Sequence, residues 1–208
     1  MTDKPKIMLL GDSIRMSYQN RVKDLLASKA CVVGPAENCQ YSLYTLSSLN
    51  RWIDALGEPD IIHWNNGLHD CGHNPIRSPN QFPIETYVQN LEFILNHLKQ
   101  ITEKIIWATI TPISPNRAFV EEAWSWRQEE IDQYNESAMS LMTAKGVKVN
   151  DLHRLVTADY EKNLAEKQNE CQATKENAKD SSSRSSKKKG QSKASSQEKK
   201  MIPTSKNA

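Results

Sequence analysis

The chain has 208 residues, with 27 basic and 25 acidic side chains, four cysteines and 38% hydrophobic residues, as expected for an ordinary soluble protein with one domain. No apolar run approaches the roughly 20 residues that a membrane-spanning helix needs, and the early run Ile7–Leu10 is too short for the core of a signal peptide. No repeat of fixed period is present, which argues against solenoids and propellers. We therefore expect a soluble, cytoplasmic protein.

The charge is unevenly distributed along the chain. Residues 161–208 carry a net charge of +6, contain nine serines and lack aromatic residues, whereas residues 1–160 carry −4. A segment of this composition cannot bury enough surface to offset the entropy of ordering. The sequence predicts a folded domain over 1–160 and a disordered tail over 161–208. Without aromatic side chains for base stacking, the lysines of the tail do not predict nucleic-acid binding.

The cysteines have no paired spacing, which favours reduced thiols over a disulfide framework. They are Cys31, Cys39, Cys71 and Cys171. Cys31 belongs to an apolar run, and we expect it in the core.

Short apolar runs alternate with segments of helical period along the first 160 residues. The predicted strands are Lys6–Leu10, Ala30–Gly34, Asp60–Asn65, Lys104–Ile110 and Val147–Asn150. The segments between them have apolar residues at helical spacing, most clearly from Ile84 to Ile101. This alternation predicts an α/β fold, a three-layer α/β/α sandwich around a five-stranded parallel sheet.

Ligands of such sheets bind at the carboxyl ends of the strands. Unusual polar residues cluster there, in the segments Gly11–Ser13, Gly34–Asn38, Asn65–Asp70, Thr111–Ser114 and Asp151–His153. Ser13 comes where the first strand turns into the first helix. Taken alone, it predicts a helix cap, although a hydroxyl at this place is also exposed beside free backbone N–H groups.

The segment Ile7–Ile14 (IMLLGDSI) resembles the first block of the SGNH, or GDSL, family of serine esterases and lipases. Four further segments resemble the later blocks in the family's order, so that the resemblance covers roughly residues 5–156. They are Val33–Pro35 with Glu37–Asn38, Pro59–Asp70, Trp107–Pro112 and Asn150–Leu152.

The resemblance implies a flavodoxin-like sandwich and an ester hydrolase that acts on acyl or acetyl esters of small molecules or glycans. Ser13, which follows Asp12, would be the nucleophile, and its own N–H and that of Gly34 would bind the oxyanion. No metal or organic cofactor is implied.

The third block departs from the family pattern G-x-N-D, because it reads Gly67-Leu68-His69-Asp70. His69 therefore occupies the position of the asparagine that donates to the oxyanion, and an imidazole N–H can also donate. Asn65 or Asn66 would be alternative donors in the same loop. The competing interpretation of the two asparagines is ordinary turn chemistry.

The family's D-x-x-H block, which supplies the general base, is missing after Asp151. Two histidines are candidates for a substitute base: His69, with Asp70 to orient it, and His153. The alternative is a catalytically inactive relative that binds an ester or glycan. We interpret the usual last helix of the fold as replaced too, with only Tyr160 and Leu164 left as apolar contacts. We therefore expect exposed apolar surface near the first and fifth strands, with marginal stability or a homodimer as the consequence.

Two other clusters in the sequence are open to more than one interpretation. His69, Cys71 and His73 alternate, but their spacing matches no common zinc pattern, and we expect no metal site. Trp124 and Trp126 either line a substrate groove together, or Trp124 anchors the following helix to the body of the domain.

Overall fold

The computed structural model describes residues 4–76, 80–114 and 116–163. The strands are β1 (Lys6–Leu10), β2 (Cys31–Val33), β3 (Ile61–Trp64), β4 (Ile105–Ala108) and β5 (Lys148–Asn150). The helices between them are α1 (Ser13–Leu26), α2 (Ser42–Leu56), α3 (Ile84–Leu98) and α4 (Gln128–Ala144). Within these described ranges, no helix is long and apolar enough to cross a bilayer.

The chain divides into two compact units, residues 1–157 and 158–208. The first unit contains the five strands and ends with a helical segment over 152–157, so helix does follow β5 although the sequence led us to expect the usual last helix to be replaced. In the second unit, residues 158–163 are helical, and Asn163 Nδ2 donates to the carbonyl of Asp159 at 2.8 Å. The tail predicted from residue 161 and its lysine cluster lie almost entirely outside the described residues.

All five strands are parallel, in the order β2-β1-β3-β4-β5, and this confirms the predicted fold class. The sheet register pairs Leu10 with Trp64 and Trp64 with Trp107, so that β1, β3 and β4 end side by side. The loops that follow these strands therefore meet at one edge of the sheet.

One face of the sheet forms the core with α2, α3 and α4. Alternate strand residues point to this face, and the largest of them, Trp64 and Trp107, are fully buried. Helix residues such as Leu91, Ile94 and Met142 fill the space opposite them. Full burial of one such side chain stabilises the fold by about 1.5–3 kcal/mol.

The other face of the sheet carries an open apolar groove of about 560 Å³. The strand residues that point away from the core line this groove together with one side of α1. The lining residues are Ile7, Leu9, Ile61, His63, Ile106 and Asn150 from the sheet, Tyr18, Arg21, Val22 and Leu26 from α1, and Leu152. This groove lies where the sequence led us to expect exposed apolar surface.

The cysteines among the described residues are free thiols. Cys39 and Cys71 are buried, but Cys31 is exposed, so its predicted place in the core is wrong. The reason is topological, because β2 is an edge strand and Cys31 is its first residue.

Candidate active site

Ser13 is the first residue of α1, immediately after the turn that follows β1. Asp12 caps the helix, since its Oδ1 accepts a hydrogen bond from the N–H of Ile14 at 2.8 Å. The neighbouring residue Asp12, and not Ser13, therefore supplies the helix cap that the sequence predicts at this place. Ser13 is exposed, and its hydroxyl has no hydrogen-bond partner among the described residues. This leaves the oxygen free to react.

Ser13 opens into a cavity of about 490 Å³. Loops from the ends of β1, β2, β3 and β4 form its walls. The lining residues are Ser13, Ile14, Asn38, Leu68, His69, Ile113, Arg117, Trp124 and Trp126. The cavity thus lies at the edge of the sheet where the parallel topology concentrates polar residues.

His69 lies in this cavity with its imidazole half-buried. Its ring contacts that of Trp124, with 6.1 Å between centroids, and neither ring nitrogen has a hydrogen-bond partner in the described part of the chain. Burial lowers the pKa of His69 below its usual value, an effect that the charge of Asp12 opposes. A neutral imidazole with free nitrogens can accept a proton or donate one hydrogen bond.

Asp12 is buried beneath the serine, and burial raises the pKa of its carboxyl group. The N–H of Ile14 and the nearby His69 and Arg15 oppose this rise. Asp12 thus acts on His69 through its charge, without a direct ion pair.

Arg15 connects the first and second loops, a role that sequence analysis missed. The side chain is 2% exposed, a rare burial for an arginine. Its guanidinium donates to the carbonyl oxygens of Pro35 at 2.8 Å and Glu37 at 2.6 Å, while Nε donates to that of Gly11 at 3.3 Å. These bonds hold the second loop beside Ser13.

Asn38, rather than Gly34, is the residue of the second loop that lines the cavity. A Cβ on Gly34 would lie 2.3 Å from Gln19 Oε1 and 2.7 Å from the carbonyl oxygen of Leu9, so this glycine permits close packing of β2 against β1 and α1. Asn38 Oδ1 accepts from the N–H of Gln40 at 2.7 Å. Its Nδ2 has no partner in the described ranges and remains a free donor. The sequence contains one indication of this role, because Asn38 belongs to the polar segment Gly34–Asn38 that follows the second strand.

Asn65 and Asn66 are buried, and hydrogen bonds within the protein occupy the Nδ2 donor of each. Asn65 Nδ2 donates to the carbonyl oxygens of Ala108 at 2.8 Å and Thr109 at 3.1 Å. Asn66 Nδ2 donates to the carbonyl oxygen of Gln40 at 3.1 Å and to Thr45 Oγ1 at 2.9 Å. Asn66 Oδ1 accepts a hydrogen bond from Trp64 Nε1 at 2.7 Å. Neither residue lines the cavity, so both position the loops around it.

Asp70, the expected orienting group for His69, accepts its hydrogen bonds from Ser42 instead. The carboxyl group is fully buried, and burial raises its pKa to about 7. Among the described residues, no carboxylate is hydrogen-bonded to His69.

His153 lies outside the cavity, beside α4. Its Nδ1 is 2.9 Å from the carbonyl oxygen of Ile110 and 3.0 Å from Asn135 Nδ2. Its Nε2 is 3.3 Å from Asp132 Oδ1. The structure therefore brings Ser13 and His69 into one cavity and places His153 elsewhere.

Both tryptophans line the cavity, and the anchoring hydrogen bond of the pair belongs to Trp126 rather than to Trp124. Trp126 Nε1 donates to the carbonyl of Leu68 at 2.6 Å. Gly72 permits this approach, because a Cβ there would lie 2.9 Å from Trp126 Nε1 and 3.0 Å from the ring of Trp124.

His69, Cys71 and His73 diverge in the structure. His73 Nε2 lies 2.6 Å from Glu130 Oε2, and the Cys71 thiol is buried, 3.6 Å from the carbonyl of Leu68. Over the described ranges, no group of three potential ligand residues is arranged to hold a metal ion.

Solved structures similar to this chain support the fold. A lipase/acylhydrolase from Enterococcus faecalis is 22% identical, with a TM-score of 0.59 over 74% of this chain and 79% of that one. An acetyl xylan esterase is 15% identical, with a TM-score of 0.64 over 77% and 84%. A GDSL-like lipase from Bacteroides thetaiotaomicron is 15% identical, with a TM-score of 0.53 over 71% and 68%. No family model matches the sequence, and no curated protein matches it at a significant level.

Proposed function

The chain has the fold of the SGNH, or GDSL, acylhydrolases, and we propose that it is a serine ester hydrolase that acts on esters of small molecules or glycans. The observation that carries the proposal is the exposed, unpartnered hydroxyl of Ser13 in one cavity with the His69 ring and the Asn38 amide. These three groups supply a nucleophile, a base and an oxyanion donor.

In the proposed first step, Ser13 Oγ forms a bond to the ester carbonyl carbon while His69 takes the hydroxyl proton. The N–H of Ser13 and Nδ2 of Asn38 donate hydrogen bonds to the oxyanion. The alcohol then leaves with the proton from His69, which leaves an acyl group on Ser13. In the second step, water attacks this acyl group by the same route and releases the acid. This chemistry requires no metal or organic cofactor.

A catalytically inactive relative is the second candidate, and two observations favour it. Ser13 and His69 are not hydrogen-bonded to each other, and Asp70 is bonded to Ser42 rather than to His69. An enzyme of this kind normally has both contacts, because the base must be oriented as well as present. The inactive chain would still bind an ester or glycan in the cavity.

Hydrolysis of p-nitrophenyl acetate by the wild type, Ser13→Ala and Ser17→Ala separates the two candidates. Ser17 is a matched control, since it lies one turn further along α1 and its hydroxyl bonds to the carbonyl of Ile14 at 2.7 Å. A hydrolase loses its rate in Ser13→Ala and keeps it in Ser17→Ala. An inactive relative gives the same slow rate with all three proteins.

A further inference from the structure

Arg117 lies on the wall of the cavity that contains Ser13, and it has no carboxylate partner among the described residues. Two arginines elsewhere in the described part of the chain lie beside carboxylates instead. Arg51 lies 2.7 Å from Glu37, and Arg127 lies 3.6 Å from Glu130. The charge of Arg117 is therefore available to a bound molecule.

The guanidinium of Arg117 is held in place by an aromatic ring. Its central carbon lies 4.7 Å from the centroid of the Trp126 ring, in a cation–π contact. Trp126 is itself fixed by its hydrogen bond to Leu68, and the backbone N–H of Arg117 donates to the carbonyl of Ser114 at 2.9 Å. A stacked guanidinium loses little further freedom when it binds an anion.

The described side chains that line the cavity include a cation and no anion. Its lining contains the cation of Arg117 and, over the residues described, no carboxylate. The remaining lining is apolar or uncharged, apart from His69, whose pKa is lowered by burial. The planar donor array of a guanidinium matches the two oxygens of a carboxylate.

We propose that the substrates are esters bearing a carboxylate, which Arg117 binds while Ser13 attacks the ester carbonyl. This inference rests on the proposed hydrolase function and specifies its substrate class. Arg117 is then a specificity-determining residue whose contribution appears mainly in KM, since its ion pair forms with the bound substrate before the reaction.

The test compares 4-acetoxybenzoate with its uncharged methyl ester as substrates, for the wild type, Arg117→Met and Arg127→Met. Arg127 is a matched control, because its guanidinium stacks 3.8 Å from the centroid of the Phe119 ring and does not line the cavity. Arg117→Met is expected to lower kcat/KM for the anionic ester about 5- to 10-fold, mostly through KM, and to change that for the methyl ester less than about 2-fold. Arg127→Met should leave the ratio of the two values unchanged.

Salt supplies an independent readout, because the wild-type preference for the anionic ester should decline as ionic strength rises and screens a partly exposed ion pair. The wild type could hydrolyse both esters through Ser13 while Arg117→Met leaves unchanged the ratio of kcat/KM for the anionic ester to that for the methyl ester. That result would overturn the substrate class and leave the hydrolase function standing. Failure of the wild type to hydrolyse either ester above the rate of Ser13→Ala would overturn both.

Discussion

Asp70 caps helix α2 from a distant loop, through three hydrogen bonds from Ser42. The backbone N–H of Ser42 lies 3.1 and 3.0 Å from the two carboxylate oxygens, and its hydroxyl lies 2.5 Å from Oδ1. The residue that precedes the helix, Tyr41, provides no side-chain cap. These bonds tie the loop after β3, which carries His69, to the start of α2.

The buried Asp70 carboxyl group should make the stability of the protein decrease as the pH rises. Its pKa is about 7 in the fold, whereas the ordinary pKa of an aspartate is 3.8, so the folded state binds more protons between these two pH values. The free energy of unfolding should fall by up to about 1.4 kcal/mol per pH unit between roughly pH 4 and 7 from this group, and stay constant above.

Urea denaturation of the wild type and Asp70→Asn at several pH values measures this effect. The stability of the wild type relative to the variant should be higher at pH 5 than at pH 8. Asp54→Asn, on the exposed side of α2, is the control and should give no such difference. Parallel profiles for the wild type and Asp70→Asn would contradict the prediction.

Asn38→Asp should remove an oxyanion donor and keep the local turn. An aspartate retains the oxygen that accepts from the N–H of Gln40 but has no Nδ2 to donate. We expect kcat for p-nitrophenyl acetate to fall by roughly 10²–10³-fold, with a much smaller change in stability. Asn74→Asp is the matched control, since Asn74 Oδ1 accepts from the N–H of Ile76 in a similar turn outside the cavity. Equal activities of the two variants would exclude Asn38 from the oxyanion site.

His69→Gln distinguishes a base from a hydrogen-bond donor at this position, because glutamine can donate but cannot take a proton at neutral pH. If His69 is the base, kcat should fall by about 10²–10⁴-fold. Burial lowers the pKa of His69 from 6.5, so wild-type kcat/KM should be constant above pH 6.5 and decline only below it. His153→Gln, outside the cavity, should retain the activity. A variant His69→Gln within tenfold of the wild type would assign His69 to the oxyanion instead.

The open groove beside α1 should promote self-association. Apolar side chains of the sheet and α1 form most of the lining of this groove, and a second copy of the chain would cover them. Sedimentation velocity should show a mass that rises with protein concentration, and Leu26→Gln should weaken the effect. Leu25→Gln is the control, because Leu25 is the neighbouring residue and does not line the groove. A wild type that remains monomeric at all concentrations would contradict this prediction.

The sequence located all five strands and placed Ser13 where the first strand turns into the first helix, because a buried parallel strand is a short apolar run and polar residues follow its carboxyl end. It did not predict the roles of the asparagines. The Nδ2 of Asn65 is hydrogen-bonded to a carbonyl group 43 residues further along the chain. Asn38 reaches the cavity because Arg15 holds the loop that contains it. Such partners depend on tertiary structure, which the local pattern of residues does not encode.

Reaction with a fluorophosphonate probe, followed by intact mass, tests the central claim most directly. The probe phosphonylates a serine only when that serine is activated as a nucleophile. The account predicts one adduct on the wild type and on Ser17→Ala, and none on Ser13→Ala. A folded wild type that forms no adduct, or an adduct that persists in Ser13→Ala, would contradict it.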